Sequence, residues 1–413
     1  MGGASVKPQK LFIPGPVSVA PPVLAALAKP LIDHRGPAFA ELLARIERQL
    51  RPLFGTAGPI VLLGSSGTGG MEASVVSLFS PGDRILACPI GLFGLRFADI
   101  ARAYGCEVEL LETEFGRALD AQRLAERLRA DHKRQIDGIL LTHNETSTGV
   151  QNDLAALSQA LGDHGAFTLV DSVSGLGAGD VRMDERRFDA VISASQKVLA
   201  APPGAAMVAL SARAVDRLPS AEIPSFYLSL QKALDFSGHG QTPWTPPVSI
   251  LFALEAALER FEEQGARRVW KRHESYAGAI RAAVGALGLE MFSVPGAHSS
   301  TVVAVKSAGI DMPAVLHTLR DEHGITLSGG QQHLRGKIFR IGTMGDISQT
   351  DVLAMLGALE GALAGAHLPP ETGSAVRAAL QVFLSLEDEA AFTLDDEQTA
   401  GAETAEQTMA ARS

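Results

Sequence analysis

Cysteine is nearly absent from this chain: two stand among 413 residues, Cys88 and Cys106, and neither belongs to a Cys-x-x-Cys pair or a Cys/His ligand spacing. A disulfide framework and a zinc module are thereby excluded, and both residues, set in apolar runs, read as buried thiols of a reducing compartment. Long apolar runs are missing too. No stretch reaches the roughly 18 uncharged apolar residues of a membrane span, and the opening MGGASVKPQKLFIPGP has no apolar signal core. Val6 stands where a myristoylation signal wants Ser or Thr, and the final ARS is not a peroxisomal tripeptide. Cytoplasm is the expected compartment. A basic stripe for nucleic acid is also lacking. From Glu387 onward eight acidic residues face one basic residue, Arg412, so this short segment holds −7 of the net charge of −10 and the body is nearly balanced.

With 46% apolar residues, the chain can bury a large domain with a full core and a smaller second one. Between about residues 59 and 211, seven apolar runs (PIVLLG, DRILAC, CEVELLE, DGILLTH, AFTLVDSV, FDAVISAS, AAMVALS) alternate with amphipathic stretches such as DAQRLAERLRADH. Strands without polar alternation, separated by helices, predict a mostly parallel sheet covered on both faces. Binding residues then gather at the carboxyl ends of the strands. After about residue 248 two long helices, broken near Gly265, precede a strand-helix-strand-helix succession that suits a small α+β domain. The expected division is an arm over 1–20, a large domain over 21–255, a small one over 256–366, an extra helix over 367–392 and a disordered acidic tail over 393–413. No internal repeat is present.

The chemistry centres on SASQKVLAAPPG, residues 193–204, which puts Lys197 where a buried strand runs out. By itself such a lysine is a solvated side chain. Asp171, in FTLVDSVSG, likewise follows a strand; by itself it is a cap or turn residue. Together, an Asp and a Lys at one rim of a sheet meet the needs of a pyridoxal phosphate enzyme: the amine forms a Schiff base with the cofactor aldehyde, and the carboxylate keeps the pyridine nitrogen protonated. The Gly/Ser segment GSSGTGGMEASVVSLF, residues 64–79, leaves a strand and enters a helix. Its glycines let backbone approach an anion, which the N–H groups of the first turn and the Ser66 and Thr68 hydroxyls can coordinate. The GxGxxG and GxxxxGK[ST] nucleotide patterns are absent.

Nine blocks in order carry a resemblance: PGPVSV (14–19), DHRGPAF (33–39), GSSGTGGMEA (64–73), GLFGLR (91–96), LTHNETSTGV (141–150), VDSVSGLG (170–177), SASQKVLAAPPG (193–204), TPWTPPVS (242–249) and KIFRIGTMG (337–345). In these the chain resembles the class V aminotransferases, fold-type I pyridoxal phosphate enzymes, and in particular the alanine–glyoxylate and serine–pyruvate/glyoxylate aminotransferases. The resemblance implies a mostly parallel seven-stranded sheet sandwiched by helices, with a smaller C-terminal α+β domain. It makes Lys197 the Schiff-base lysine and Asp171 the partner of the pyridine nitrogen. Val173, two residues on along an extended chain, packs on one ring face, and Phe93 covers the other where the family often has Trp. Ser147 lies near the cofactor hydroxyl; Gly67, Thr68 and Gln196 contact the phosphate, which Thr245 reaches from a second subunit, so a homodimer is implied. Arg340 presents the planar fork that suits a substrate carboxylate. His34 and Arg35 belong to a block that reaches toward the active site or forms a structural turn. Thr242 stands where animal relatives carry a tyrosine for the partner's phosphate site. The expected reaction moves an amino group from alanine or serine to glyoxylate or pyruvate in two half-reactions, with pyridoxamine–pyruvate, ureidoglycine–glyoxylate and aminophosphonate transaminases as alternatives. A cysteine desulfurase is disfavoured because no cysteine follows Cys106. A catalytically silent scaffold is opposed by the joint presence of Lys197, Asp171 and Arg340.

Overall fold

The seven apolar runs pair into one sheet in the computed structural model, which describes residues 9–307, 309–365 and 371–385. In chain order they are β1 (Ile60–Leu63), β2 (Arg84–Ala87), β3 (Glu107–Leu110), β4 (Gly138–Thr142), β5 (Phe167–Asp171), β6 (Ala190–Ala194) and β7 (Ala206–Leu210). The spatial order is β1-β7-β6-β5-β4-β2-β3, and β7 alone runs opposite to the others. Both faces are covered. Along β5 and β6, Val170 and Val191 join the core beneath helices Pro37–Phe54 and Val248–Gln264, whereas Leu169, Ala190 and Ile192 join the core beneath helices Gly67–Leu78 and Leu92–Ala103. A strand buried on both sides has no solvent face on which to place polar residues, which is why β5 and β6 lack alternation, whereas the edge strand β3, EVEL, is partly exposed and alternates. Each fully buried Leu, Ile or Val in them contributes roughly 1.5–3 kcal/mol relative to exposure.

Register fixes the rim. Thr142 pairs with Asp171 and Asp171 with Ile192, so β4, β5 and β6 end side by side. The segments 143–147, 171–173 and 195–197 therefore emerge together at the carboxyl edge of the sheet.

A second core lies around the antiparallel sheet of β8 (Val302–Lys306), β9 (Ser328–Gly329) and β10 (Ile338–Gly342), in the order β8-β10-β9. Helices Ala266–Ala286, Met312–Asp321 and Gln349–Gly365 supply Ile280, Val315 and Leu356 to it. Gly265, at φ +78°, separates the two long helices, a conformation that β-carbon-bearing residues adopt at a penalty. Residues 374–385 form a further helix whose Ala375, Ala379 and Phe383 enter the same core. The acidic tail expected over 393–413 lies outside the described residues. At the other end, Lys10–Leu11 pairs in parallel with Ile325–Thr326, and Phe12 plugs the second core. The chain then crosses to the first core, where Val17 is buried. That path carries Pro14 and Gly15 over the sheet rim.

Candidate active site

Lys197 sits in a tight loop after β6. Its carbonyl accepts from the Ala200 N–H, and the Ser195 hydroxyl donates to the Pro202 carbonyl at 2.6 Å, so Pro202 anchors the loop from beyond the lysine. The side chain is 9% exposed and its amine donates to the Pro14 carbonyl. A β-carbon at Gly15 would lie 2.9 Å from Lys197 Nζ, so the arm presses bare backbone against the amine. Burial drives the Lys197 pKa down to about 8, and the Arg340 and Arg96 charges push the same way; Asp171 and Glu145 oppose them. Desolvation wins because an ammonium loses more hydration than these carboxylates return.

Asp171 closes β5 and is buried. Desolvation lifts its pKa to about 7, aided by Glu145 and opposed by the Val173 N–H, Lys197 and Arg96. A carboxylate so placed favours a cationic partner. The expectation that Val173 follows along an extended chain is corrected here: β5 ends at Asp171, and the Val173 N–H folds back to Asp171 Oδ1 at 2.9 Å in an Asx-type turn. Packing against helix Gly67–Leu78 fixes Val173 instead, since a β-carbon at Gly67 would come within 2.6 Å of Val173 Cγ2.

Helix Gly67–Leu78 points its N-terminus into this region. Ser66 is its N-cap residue without using its side chain, so the first-turn N–H groups have no side-chain partner. Gln196 beside Lys197 carries a buried Oε1 without a hydrogen-bond partner. An open helix N-terminus together with an unpaired buried amide fits a phosphate, whose oxygens would complete both. On the other side, Phe93 is half-buried on the first turn of helix Leu92–Ala103, with the Arg96 guanidinium 4.6 Å from its ring centre and bonded to Thr68 Oγ1 at 3.2 Å.

Arg340 lies on β10, 4% exposed. Nε and Nη2 donate to the Gly329 carbonyl and Nη1 to the Thr146 carbonyl, and among the described residues no carboxylate forms an ion pair with it. Burial lowers its pKa while Glu145 raises it. A buried guanidinium held by carbonyls alone keeps its charge for an incoming anion.

The fold thus brings Lys197, Asp171, Val173, Gly67, Thr68, Phe93, Ser147, Gln196 and Arg340 to one place, with Ser66 at the helix entry. Thr245 is not brought there within one chain: it is exposed, beside Trp244, which stacks on Tyr227. Arg35 is a clamp, donating to Gln241 Oε1 and the Thr242 and Pro243 carbonyls; His34 precedes it, half-buried. The Thr242 hydroxyl donates to the Trp244 carbonyl at 2.7 Å, which shapes that same loop. Sequence reasoning missed Pro14, Arg96 and Glu145. All three lie inside quoted blocks, PGPVSV, GLFGLR and LTHNETSTGV, and for Arg96 and Glu145 a charge within apolar or small-residue surroundings was the available signal.

The aminotransferase class-V family model matches residues 25–345. The chain is 38% identical over 375 residues to a protein named soluble hydrogenase 42 kDa subunit from Anabaena cylindrica, covering 90% of this chain and 98% of that one. It is 35% identical over 374 residues to an L-aspartate–glyoxylate aminotransferase of Paracoccus denitrificans, covering 89% and 94%. The crystal structure of ureidoglycine–glyoxylate aminotransferase from Bacillus subtilis superposes with a TM-score of 0.85 at 31% identity over 91% of this chain and 98% of that one. Family and fold agree, and this chain belongs to the class V aminotransferases, pyridoxal phosphate-dependent transaminases of fold type I.

Proposed function

We propose that this transaminase takes the amino group of alanine or serine and delivers it to glyoxylate or pyruvate. The observation that carries the reading is the buried cluster of Lys197, Asp171 and Arg340, in which Asp171 and Arg340 both act on the charge of Lys197. Glyoxylate is favoured as acceptor because two of the relatives above are named for it. Pyridoxal phosphate, when bound, supplies an electron sink for the bond-breaking at the donor's α-carbon. Arg340 binds the carboxylate that amino and oxo acid share, and so fixes where the α-carbon lies. Lys197, with its pKa near 8, has an appreciable neutral fraction at physiological pH. Its Nζ can take the α-proton and return it, as general base and then acid. Asp171 holds the pyridine nitrogen. Val173 and Phe93 bracket the ring, Ser147 meets its hydroxyl, and Ser66, Gly67, Thr68 and Gln196 hold the phosphate.

In this reading the site lies between a large domain, 21–255, and a small one, 256–366, with the arm 1–20 laid over Lys197. Two copies of the chain assemble so that Thr245 reaches the phosphate of the other copy. The exposed aromatics beside it, Phe226 and Tyr227, support a covered surface there. Light scattering that finds active samples only as monomers sinks the assembly. Among the described residues no helix is long and apolar enough to cross a membrane. The reaction is tested by adding candidate amino acids singly to the cofactor-loaded protein and recording which convert bound cofactor to the pyridoxamine form. Alanine or serine should do so; conversion by none, with Lys197 demonstrably linked to cofactor, overturns the transaminase reading.

A further inference from the structure

A buried carboxylate that the proposed transfer does not use lies at the centre of the site. Glu145 is fully buried, and four donors converge on it. Oε2 accepts from the Phe93 and Gly94 N–H groups at 3.0 and 3.1 Å, and Oε1 from the Ser147 N–H and hydroxyl at 2.9 and 2.7 Å. The Phe93 and Gly94 groups open helix Leu92–Ala103 and have no partner within it. Gly91, the residue at the cap position, has no side chain to serve them, and a β-carbon there would lie 2.3 Å from Glu145 Cγ. Glu145 therefore caps this helix from a distant segment and fills the space that Gly91 leaves.

The same carboxylate settles the polarity of Ser147. The serine hydroxyl has one proton, which it donates to Glu145, while its oxygen accepts from the Leu92 N–H at 2.9 Å. Toward the pocket Ser147 can then only accept. We infer that Glu145 is a positioning residue for the cofactor: it pins the turn that carries Phe93 and, by taking the Ser147 proton, makes Ser147 an acceptor toward the cofactor. This rests on the placement of Phe93 and Ser147 proposed above. The charged groups that share Glu145's surroundings are Asp171, Lys197 and Arg340. Burial raises the Glu145 pKa overall and the four donors oppose it, so the acceptor role rests on geometry: both oxygens are met by donors alone.

Glu145→Gln preserves the shape and changes the proton inventory. The amide oxygen stays toward Phe93 and Gly94, because that orientation orphans one N–H, that of Ser147, where the flipped one orphans two; the NH2 then donates to the Ser147 hydroxyl oxygen, and the serine proton is released toward the pocket. A donor there stabilises the deprotonated form of the group it meets. The absorbance of bound cofactor, titrated against pH in the loaded protein, should then show its midpoint lowered, by roughly tenfold in proton affinity, the size of one hydrogen bond to a charged group. In a Ser147→Ala background the same substitution should move the midpoint little, a non-additivity that a merely structural residue does not give. An unmoved midpoint in Glu145→Gln with cofactor bound overturns the inference alone; no cofactor absorbance in the parent protein overturns the transaminase reading itself. Should Glu145→Gln fail to fold, amide exchange in the loaded parent decides. Phe93 and Gly94 N–H groups protected like the helix interior support the pinning, and exchange at the unprotected rate overturns it.

Discussion

Replacing Asp171 with Asn should stabilise the cofactor-free protein and weaken the loaded one, and the first effect should grow with pH. In the fold the Asp171 pKa is raised from 3.8 to about 7, chiefly by burial. In the unfolded chain it ionises in the ordinary carboxylate range. Between those two values the folded state holds a proton that the unfolded state has lost, so stability falls as pH rises through this window and is restored at acid pH, where both states are protonated. Asn carries no such penalty. Linkage makes the advantage of Asp171→Asn over the parent grow by roughly 2–3 kcal/mol between about pH 5 and pH 8. Urea unfolding of cofactor-stripped protein, parent against variant, across that range measures it. Adding pyridoxal phosphate should reverse the order, because the parent gains a cationic nitrogen beside Asp171 and the variant does not. A difference that is flat, or that shrinks with rising pH, refutes the claim that burial governs this carboxyl group.

Arg340→Met should raise the KM for both amino and oxo acid and lower kcat/KM by about 2–4 kcal/mol in transition-state terms, with the cofactor spectrum little changed; steady-state kinetics against each substrate checks it. Gly67→Ala places a methyl group 2.6 Å from Val173 Cγ2 and should cost about 1–3 kcal/mol of stability while weakening cofactor retention, read by thermal melting and by equilibrium dialysis. Burial pushes the Cys88 and Cys106 thiols up to about 12 and about 11, so neither should be alkylated by iodoacetamide at neutral pH until denaturant is added; mass spectrometry of the treated native protein decides.

Six of the seven strands were legible as short apolar runs bounded by turn residues, the signature that burial on both faces leaves, whereas the edge strand Glu107–Leu110 alternates Glu with Val and Leu and stays partly exposed. The break at Gly265 was legible for the same local reason. Sites on strand ends, Lys197 and Asp171, followed once two such ends were assigned to one sheet. The conformation at Val173 was misjudged because the Asx-type turn depends on a side chain folding back to its own backbone, a choice that alternation along a strand does not encode. Arg35 became intelligible only through its partners 206 to 208 positions away.

Strand identity, the alternation with helices and the order of the nine blocks are properties of the sequence, fixed by residue type and local spacing. Which groups meet is a property of the folded chain alone. The parallel register sets Asp171 beside β6, the arm carries the Pro14 carbonyl to the Lys197 amine, and burial moves the pKa values of Lys197 and Asp171 toward each other. Glu145 shows the distinction most sharply. Two of its four donors belong to Ser147, two positions on, and two to a helix more than 50 positions upstream, and only the fold brings these to one carboxylate and strips it of water. Desolvation depends on everything that surrounds a group at once, and a linear pattern contains no such quantity.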